Sequence, residues 1–165
     1  MLESMLNELR QEAATTKRVL GRVPGDKLSW KPHQRSMSPG QLALHVASIP
    51  SQVSGLAALD EFDASQANFD PPEAKSVEEI LAALDVSAKT AEDYISSLDD
   101  KVAMANWRLT SRGKEVLTMP RVGLLRTIML NHWYHHRGQL SVYLRLLEVP
   151  VPAIYGRSAD ENPFA

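Results

Sequence analysis

Two histidines four residues apart, within one long predicted helix, constrain this chain more than any other feature. The helix is predicted over residues 118–148, where a period between three and four joins Leu125, Ile128, Met129, His132, His136, Tyr143 and Leu147. At this spacing His132 and His136 lie on one face, about 5–6 Å apart at Cβ, and can share one metal ion. The face is otherwise apolar, so we expect both rings to point into the core. There an imidazole nitrogen needs a hydrogen bond or a metal.

The composition of the chain indicates a class of protein and excludes several kinds of partner. With 165 residues, 44% hydrophobic and 23% charged, the chain predicts one globular domain over residues 1–165. A net charge of −2 gives no basic surface, so we expect no nucleic-acid partner. Arg126 interrupts the longest apolar run, so we expect no membrane span. Cysteine is absent, so any metal must be held by nitrogen and oxygen, and we expect a cytoplasmic protein.

Three further amphipathic helices precede this one. The first covers residues 2–20. The sequence Ser-Pro-Gly-Gln at residues 38–41 is a capping box with proline in the first helical position, and it starts a second helix with His45 in its apolar stripe. Pro50 lies inside that helix and removes one intrahelical hydrogen bond. A further capping box at residues 76–79 starts a third helix, which ends at Asp99.

These patterns predict an all-α fold. Four amphipathic helices, each with one inward stripe, make a four-helix bundle. The connections are long, so they do not force a simple up-down-up-down order. Residues 60–75 are typical of a loop. Residues 107–119, which contain Ser-Arg-Gly-Lys at 111–114, predict a short hairpin or an irregular arm before the fourth helix.

His45 on the second helix joins His132 and His136 in a candidate three-histidine metal site. Three neutral imidazoles at about 2.0–2.1 Å leave a divalent ion with at least one open position. Such an ion can lower the pKa of bound water toward about 7, or ionise a substrate thiol. Zn(II), Ni(II), Fe(II) and Mn(II) all suit these ligands. The alternative is that the histidines are only hydrogen-bonded polar residues on a partly exposed helix. His135 points about 100° away from His136, so we assign it to the helix flank.

Residues 132–140, His-Trp-Tyr-His-His-Arg-Gly-Gln-Leu, resemble the signature of the DinB-like family of metal-binding four-helix bundles. Residues 28–32 and 38–47 resemble that family's second-helix motif, and residues 149–156 resemble its usual close. The resemblance implies that His45, His132 and His136 are the three metal ligands. It also implies helices in up-down-down-up order, a homodimer, and a metal near one end of a cleft.

The resemblance also implies a function. Related proteins join low-molecular-weight thiols such as bacillithiol or mycothiol to electrophiles, and a related bundle isomerises maleylpyruvate. We therefore expect a thiol-dependent S-transferase that acts on a small-molecule substrate. The alternatives are a metal-dependent hydrolase and a non-enzymatic metal- or ligand-binding protein of the stress response.

Three neighbours of the histidines have roles that the sequence leaves open. Arg137 can anchor a carboxylate or pair with an acid at a helix end. Gln139 can hold a ligand ring in place from outside the ligand set. Gly138 is expected to let the last helix approach a neighbour closely.

Overall fold

Most of the chain is helical, and the first three long helices lie where the apolar stripes predict them. The computed structural model describes residues 1–68 and 70–165. The helices are α1 (Leu2–Leu20), α2 (Pro39–Ala57), α3 (Val77–Ser97), the short α4 (Asp100–Met104), α5 (Arg121–Leu124) and α6 (His132–Leu146), with a π-helix (Leu125–Asn131) joining α5 to α6. Two short 3-10 helices, Gly25–Lys27 and Ala64–Gln66, lie in the connections. Within the described residues, no helix is long and apolar enough to span a membrane.

Two helices begin at the predicted capping residues. The capping box at α2 is complete, and the one at α3 forms only in part. The Ser38 hydroxyl accepts from the amide of Gln41 (3.2 Å), and the Gln41 side chain accepts from the amide of Ser38 (3.0 Å), which completes the box at α2. At α3 the Ser76 hydroxyl accepts from the amide of Glu79 (3.2 Å). The Glu79 carboxylate, however, accepts from the amide of Lys75 rather than from that of Ser76. Each bond satisfies a backbone N–H that has no partner within the helix.

A three-stranded sheet shows that the prediction of an all-α four-helix bundle is wrong. Strands β1 (Glu61–Asp63), β2 (Asn106–Ser111) and β3 (Lys114–Pro120) lie in the order β1-β2-β3. β1 is parallel to β2, and β2 is antiparallel to β3. The chain is therefore mostly helical, with a small mixed sheet before the last helix.

Both strands of the hairpin come from the arm that the sequence left open. Arg112 (φ 50°) and Gly113 (φ 73°) form its turn, and positive φ values at both positions favour a tight two-residue hairpin loop. β1 lies in the polar stretch that was predicted as a loop. Three residues are too few to show an alternating pattern, and Glu61 pairs with Arg108, far along the chain. The local sequence therefore does not reveal this strand.

The directions of the long helices follow from their side-chain contacts. α1 is antiparallel to α3, α2 is parallel to α3, and α6 is antiparallel to α2. The contacts that show these directions are Arg10–Glu92 and Lys17–Asp85 between α1 and α3, Ser51–Ser87 and Ala57–Tyr94 between α2 and α3, and Met37–Tyr143 and Val46–Trp133 between the α2 region and α6. Parallel α2 and α3 need a connection that returns along the helices, and residues 58–76 supply it.

After the π-helix, the last helix buries a different face from the one predicted, whereas Leu125 and Met129 of the predicted stripe are fully buried. Residues 118–120 lie in β3, so the helix begins at Arg121. The fully buried side chains of α6 lie at positions 133, 137, 140 and 144, whereas His132 and His136 are only half-buried. Ile128 is 39% exposed, contrary to its predicted place in the core. The wider turns of the π-helix rotate the residues before it relative to those after it, so one regular stripe does not run through both.

Candidate metal centre

Three imidazoles meet between α2 and α6. His45 comes from α2, and His132 and His136 come from α6, one turn apart. The ring centroids lie 5.4 Å (His45–His132), 4.7 Å (His45–His136) and 4.5 Å (His132–His136) apart. One ring nitrogen of each residue lies within 4.8 Å of those of the other two. The structure thus brings together the three residues that the sequence singled out, and together they could hold one metal ion.

The geometry of the cluster fits an ion with nitrogen ligands. His45 Nε2 and His132 Nε2 are 3.4 Å apart. Ligand nitrogens about 2.0–2.1 Å from a tetrahedral ion lie roughly 3.3 Å from one another. All three rings are half-buried rather than enclosed in the core, which leaves one side of the cluster open to a further ligand.

Burial favours the neutral form of all three rings. Burial, with smaller effects of His136 and His132, lowers the pKa of His45 to about 4. The pKa of His132 is lowered by burial and by the nearby His136 and His135. The pKa of His136 is also lowered, mainly by burial, while its hydrogen bond to Gln139 acts in the opposite direction and His135 adds to the lowering. Neutral imidazole is the form that binds a metal ion, so at neutral pH the cluster can bind one without releasing protons.

A hydrogen bond fixes which nitrogen of His136 faces the cluster. His136 Nδ1 lies 2.7 Å from the side-chain oxygen of Gln139. An amide oxygen only accepts, so Nδ1 carries the proton and Nε2 keeps its lone pair for a metal ion. Partners of this kind orient metal-binding histidines in many proteins. Sequence analysis left the role of Gln139 open, and the structure places its side chain in contact with the ring of His136.

An indole sets the register of α6 against α2 beside the histidines. Pro50 has no N–H, so the carbonyl of Val46 lacks its helical partner. The buried Trp133 indole donates to that carbonyl at 2.8 Å. Val46 follows His45 in the chain and Trp133 follows His132, so this one bond aligns the two helices at the cluster. The sequence does not identify the indole as the partner, although a proline inside a helix indicates a free carbonyl four residues earlier.

The remaining histidines lie outside the cluster. His135 is exposed, and its ring meets that of His136 edge-on with centroids 4.9 Å apart, in agreement with its predicted place on the helix flank. His33 is exposed, and its Nδ1 accepts from the amide of Arg35 at 3.2 Å. Among the described residues, neither His33 nor His135 belongs to a group that could hold a metal ion.

Arg137 is buried and links α6 to α1. Its guanidinium pairs with Glu12 and donates to the Thr16 hydroxyl at 3.0 Å. The rings of Tyr134 and Tyr155 flank it, each with its centroid 5.2 Å from Cζ. Of the roles left open for Arg137, the structure supports pairing with an acid, which lies within α1 rather than at a helix end.

Gly138 does not bring two helices together, so that prediction is wrong. The residue is exposed, and a Cβ built at this position would meet no heavy atom within 4 Å among the described residues. One residue is about 100° around a helix. The buried Arg137 therefore occupies the face toward α1, and Gly138 is turned away from it.

An apolar cleft opens beside the cluster. It has a volume of about 640 Å³ and lies between α2 and the described residues 62–68 and 70–72. His45 and His132 both contribute to its lining, so an ion held by the cluster would lie at the cleft. Apolar side chains form most of the wall on α2, namely Leu44, Ile49, Val53 and Leu56. The helical pattern of the sequence does not reveal this cleft, because its second wall comes from the connection between α2 and α3.

Comparisons with known proteins agree with the resemblance of the sequence motifs. The model of the DinB family matches residues 1–162. A DinB-like protein from Bacillus cereus ATCC 10987 is 22% identical, with a TM-score of 0.72, and the match covers 93% of this chain and 97% of that one. A DinB-like protein from Bacillus subtilis is 18% identical, with a TM-score of 0.69, and the match covers 94% of this chain and 99% of that one.

The likeness to these solved structures shows a shared fold. No curated protein sequence matches the chain. Because the family model matches nearly the whole sequence, from residue 1 to residue 162, the chain belongs to the DinB family.

Proposed function

We propose that this protein binds one divalent metal ion through His45, His132 and His136 and transfers a small thiol to an electrophile. One observation carries the proposal: three imidazoles with lowered pKa values, from two helices, meet beside an apolar cleft. Zn(II), Ni(II), Fe(II) and Mn(II) are the candidate ions, because nitrogen ligands suit all four. Membership of the DinB family supports the proposal, since thiol transferases are related to it.

The chain's own residues have separate tasks in this reaction. A bound divalent ion supplies Lewis-acid chemistry that makes a thiol acidic near neutral pH. The three histidines hold the ion, and Gln139 orients the ring of His136. The cleft holds the electrophile and keeps bulk water away from it. The thiol loses its proton to solvent, its sulfur bonds to the electrophilic carbon, and the displaced group leaves with the electron pair.

Elemental analysis of protein purified without chelator or nickel resin tests the metal site. We expect about one equivalent of divalent metal in the unchanged protein and little in the His45→Ala and His136→Ala variants, with folding checked by circular dichroism. The exposed His33 and His135 provide matched controls, and their alanine variants should keep the metal. A His45→Ala/His136→Ala double variant that retains a full equivalent would overturn the proposal.

A turnover assay separates thiol transfer from its alternatives. The metal-loaded protein is incubated with a panel of low-molecular-weight thiols and small electrophiles, and with the electrophiles alone. Thiol transfer predicts turnover only when both substrates are present. Turnover without thiol would instead support a metal-dependent hydrolase. Inactivity together with stoichiometric metal binding would support a non-enzymatic metal-binding protein.

We also propose that the protein forms a homodimer. Val142 and Leu146 support this proposal, because they lie one turn apart on α6 and are 57% and 56% exposed. Unpartnered apolar side chains in neighbouring positions on a helix favour association. Sedimentation velocity at micromolar protein concentration tests it, and a single monomeric species throughout would contradict it.

A further inference from the structure

We infer that the cleft beside the histidines binds an uncharged, elongated and mostly apolar molecule. This deepens the proposed function, because that molecule would be the electrophile of the transfer reaction. The identification of the molecule as a substrate rests on the proposed function. Its binding to the cleft follows from the shape and the chemistry of the walls alone.

The cleft is long because one wall follows a face of α2. Its lining residues on this helix recur every three or four positions from Leu44 to Leu56. The distance from residue 44 to residue 56, at a rise of about 1.5 Å per residue, makes this wall about 18 Å long. The volume of about 640 Å³ lies within the range of small-molecule pockets, roughly 300–1,000 Å³. A molecule extended along α2 fits this shape better than a compact one.

The other walls also carry apolar side chains, although the connection after α2 adds the polar Gln66, Asn68 and Asp70. Phe62 and Pro71 line the side formed by the connection after α2, and Ile128 lines the side formed by the π-helix. Apolar surfaces on all of these sides gain from burying an apolar body, at about 25 cal/mol per Å² removed from water. A ligand with one apolar chain or ring system along the cleft therefore uses all of the walls.

The charges around the cleft disfavour an anionic ligand. Among its described lining residues there is no lysine or arginine, and the only carboxylate is that of Asp70. Away from the histidine end, an anion bound along this wall would lose water without gaining a cationic partner. The side-chain amides of Gln52 and Gln66 also line the cleft and offer neutral hydrogen-bonding groups. These groups suit a hydroxyl or a carbonyl on the ligand better than a carboxylate.

The position of the histidines assigns the two ends of the ligand. His45 follows Leu44 at the start of the α2 wall, Leu56 lies at its end, and His132 faces the cleft from α6. The reacting atom would therefore lie at the histidine end. The apolar body would extend from there toward Leu56.

The test compares two probes that share one body and differ in charge, 4-phenyl-1-butanol and 4-phenylbutyrate. Their binding to the full chain is measured by calorimetry after chelator treatment, so that the carboxylate has no bound ion to coordinate. We expect the alcohol to bind at least about tenfold more tightly than the carboxylate. Equal affinity, tighter binding of the carboxylate, or no binding of either probe would overturn the inference.

Two variants locate the binding to the cleft. Ile128→Glu places a charge on the cleft wall and should weaken binding of the alcohol at least about tenfold. Val86→Glu is the matched control, because it changes an exposed apolar residue of α3 that does not line the cleft. Circular dichroism checks that both variants fold. Equal losses in both variants would contradict binding in the cleft.

A third variant tests the charge argument directly. Gln52 is exposed at the cleft, so Gln52→Lys can add a cation without replacing a buried side chain. It should raise the affinity for 4-phenylbutyrate and narrow the ratio between the two probes. An unchanged ratio would contradict the charge argument.

Failure of the inference and failure of the proposed function give different results. Tighter binding of the alcohol without metal binding through His45 and His136 would support the inference about the cleft and overturn the proposed function. Metal binding without discrimination between the two probes would support the metal site and overturn the inference about the cleft.

Discussion

The hydrogen bond between Gln139 and His136 is the contact on which a single substitution acts most directly. Gln139→Leu removes the acceptor for Nδ1–H, so the ring loses its orientation and its preferred tautomer. We expect metal affinity to fall about 10–100-fold, as for other outer partners of metal-binding histidines. Competition with a chromogenic chelator measures this change.

Two further variants test that interpretation. Gln11 is an exposed glutamine on α1, so Gln11→Leu is a matched control that should leave metal affinity unchanged. Gln139→Glu keeps an acceptor oxygen and should retain most of the affinity. Equal affinities in Gln139→Leu and the unchanged protein would show that the hydrogen bond does not orient a metal ligand.

The lowered pKa of His45 predicts a pH-dependent stability of the metal-free protein. A histidine in the unfolded chain takes up a proton near pH 6.5, whereas His45 in the folded protein does so near pH 4. Between these values the unfolded state binds more protons, so the free energy of unfolding falls as the pH is lowered from about 6.5 toward 4. Urea unfolding at several pH values measures the slope.

A histidine that lies outside the cluster is the control for this slope. His45→Gln should remove part of the slope, because the buried ring that resists protonation is gone. His33→Gln changes an exposed ring and should leave the slope in place. The same slope in both variants would contradict the assignment to His45.

At this scale the sequence predicted the composition of the cluster better than its surroundings. The four-residue spacing placed His132 and His136 on one face, and the capping box of the second helix placed His45 on a helix. The predicted core position of the rings was wrong, because the buried face of α6 carries Trp133 and Arg137 instead. Periodicity does not reveal a buried arginine, since its ionic partner lies on another helix.

At the scale of elements, one hydrogen bond joins α2 to α6. The Trp133 indole of α6 donates to the Val46 carbonyl of α2, which Pro50 leaves without a helical partner. Trp133→Phe keeps a large ring but removes the indole N–H, which leaves the buried Val46 carbonyl without its donor. We expect the free energy of unfolding to fall by about 1–3 kcal/mol and metal affinity to fall with it. Urea unfolding and chelator competition measure the two effects.

A double-mutant cycle with Pro50→Ala tests the cause. An alanine N–H at position 50 can donate to Val46 within α2, so the carbonyl no longer depends on the indole. Trp133→Phe should therefore cost less in the Pro50→Ala background than in the unchanged protein. Equal costs in the two backgrounds would show that the carbonyl freed by Pro50 is not what the indole stabilises.

The sequence predicted the long helices and missed much of the sheet for a physical reason. A helix of about twenty residues repeats its apolar stripe several times and starts at a capping residue, so the signal is local. β1 has three residues in a polar stretch, and its pairing with β2 is a contact between distant parts of the chain. The sequence does not reveal the π-helix either. A π-helix shifts the apolar stripe around the helix axis, but no residue type marks where the shift occurs.

At the scale of the whole molecule, Arg137 connects three parts of the chain. It pairs with Glu12 of α1, and its guanidinium also meets the hydroxyl of Tyr155 in the C-terminal segment. Glu12→Leu leaves a buried charge without its partner, so we expect the free energy of unfolding to fall by about 3–5 kcal/mol. Glu12→Leu/Arg137→Met removes both charges and should recover much of that loss. Urea unfolding measures both variants.

An exposed ion pair is the control for this prediction. Lys17 and Asp85 pair across α1 and α3 with side chains that are 51% and 58% exposed. Asp85→Leu should therefore cause a much smaller change, because exposed pairs contribute little. A double variant at Glu12 and Arg137 that is as unstable as Glu12→Leu alone would contradict the role of the unpaired charge.

The far wall of the cleft is attached at both of its ends. Phe62 lies in β1 at one end, and at the other the Pro71 carbonyl accepts from Gln41 (3.3 Å) while the Glu73 carboxylate accepts from Ser38 (2.7 Å). Ser38 and Gln41 also form the start of α2, so the same two side chains hold the two walls of the cleft together at this end. A ligand therefore binds to a cleft whose width is already fixed. The observed rate constant of binding should rise in proportion to ligand concentration without reaching a plateau.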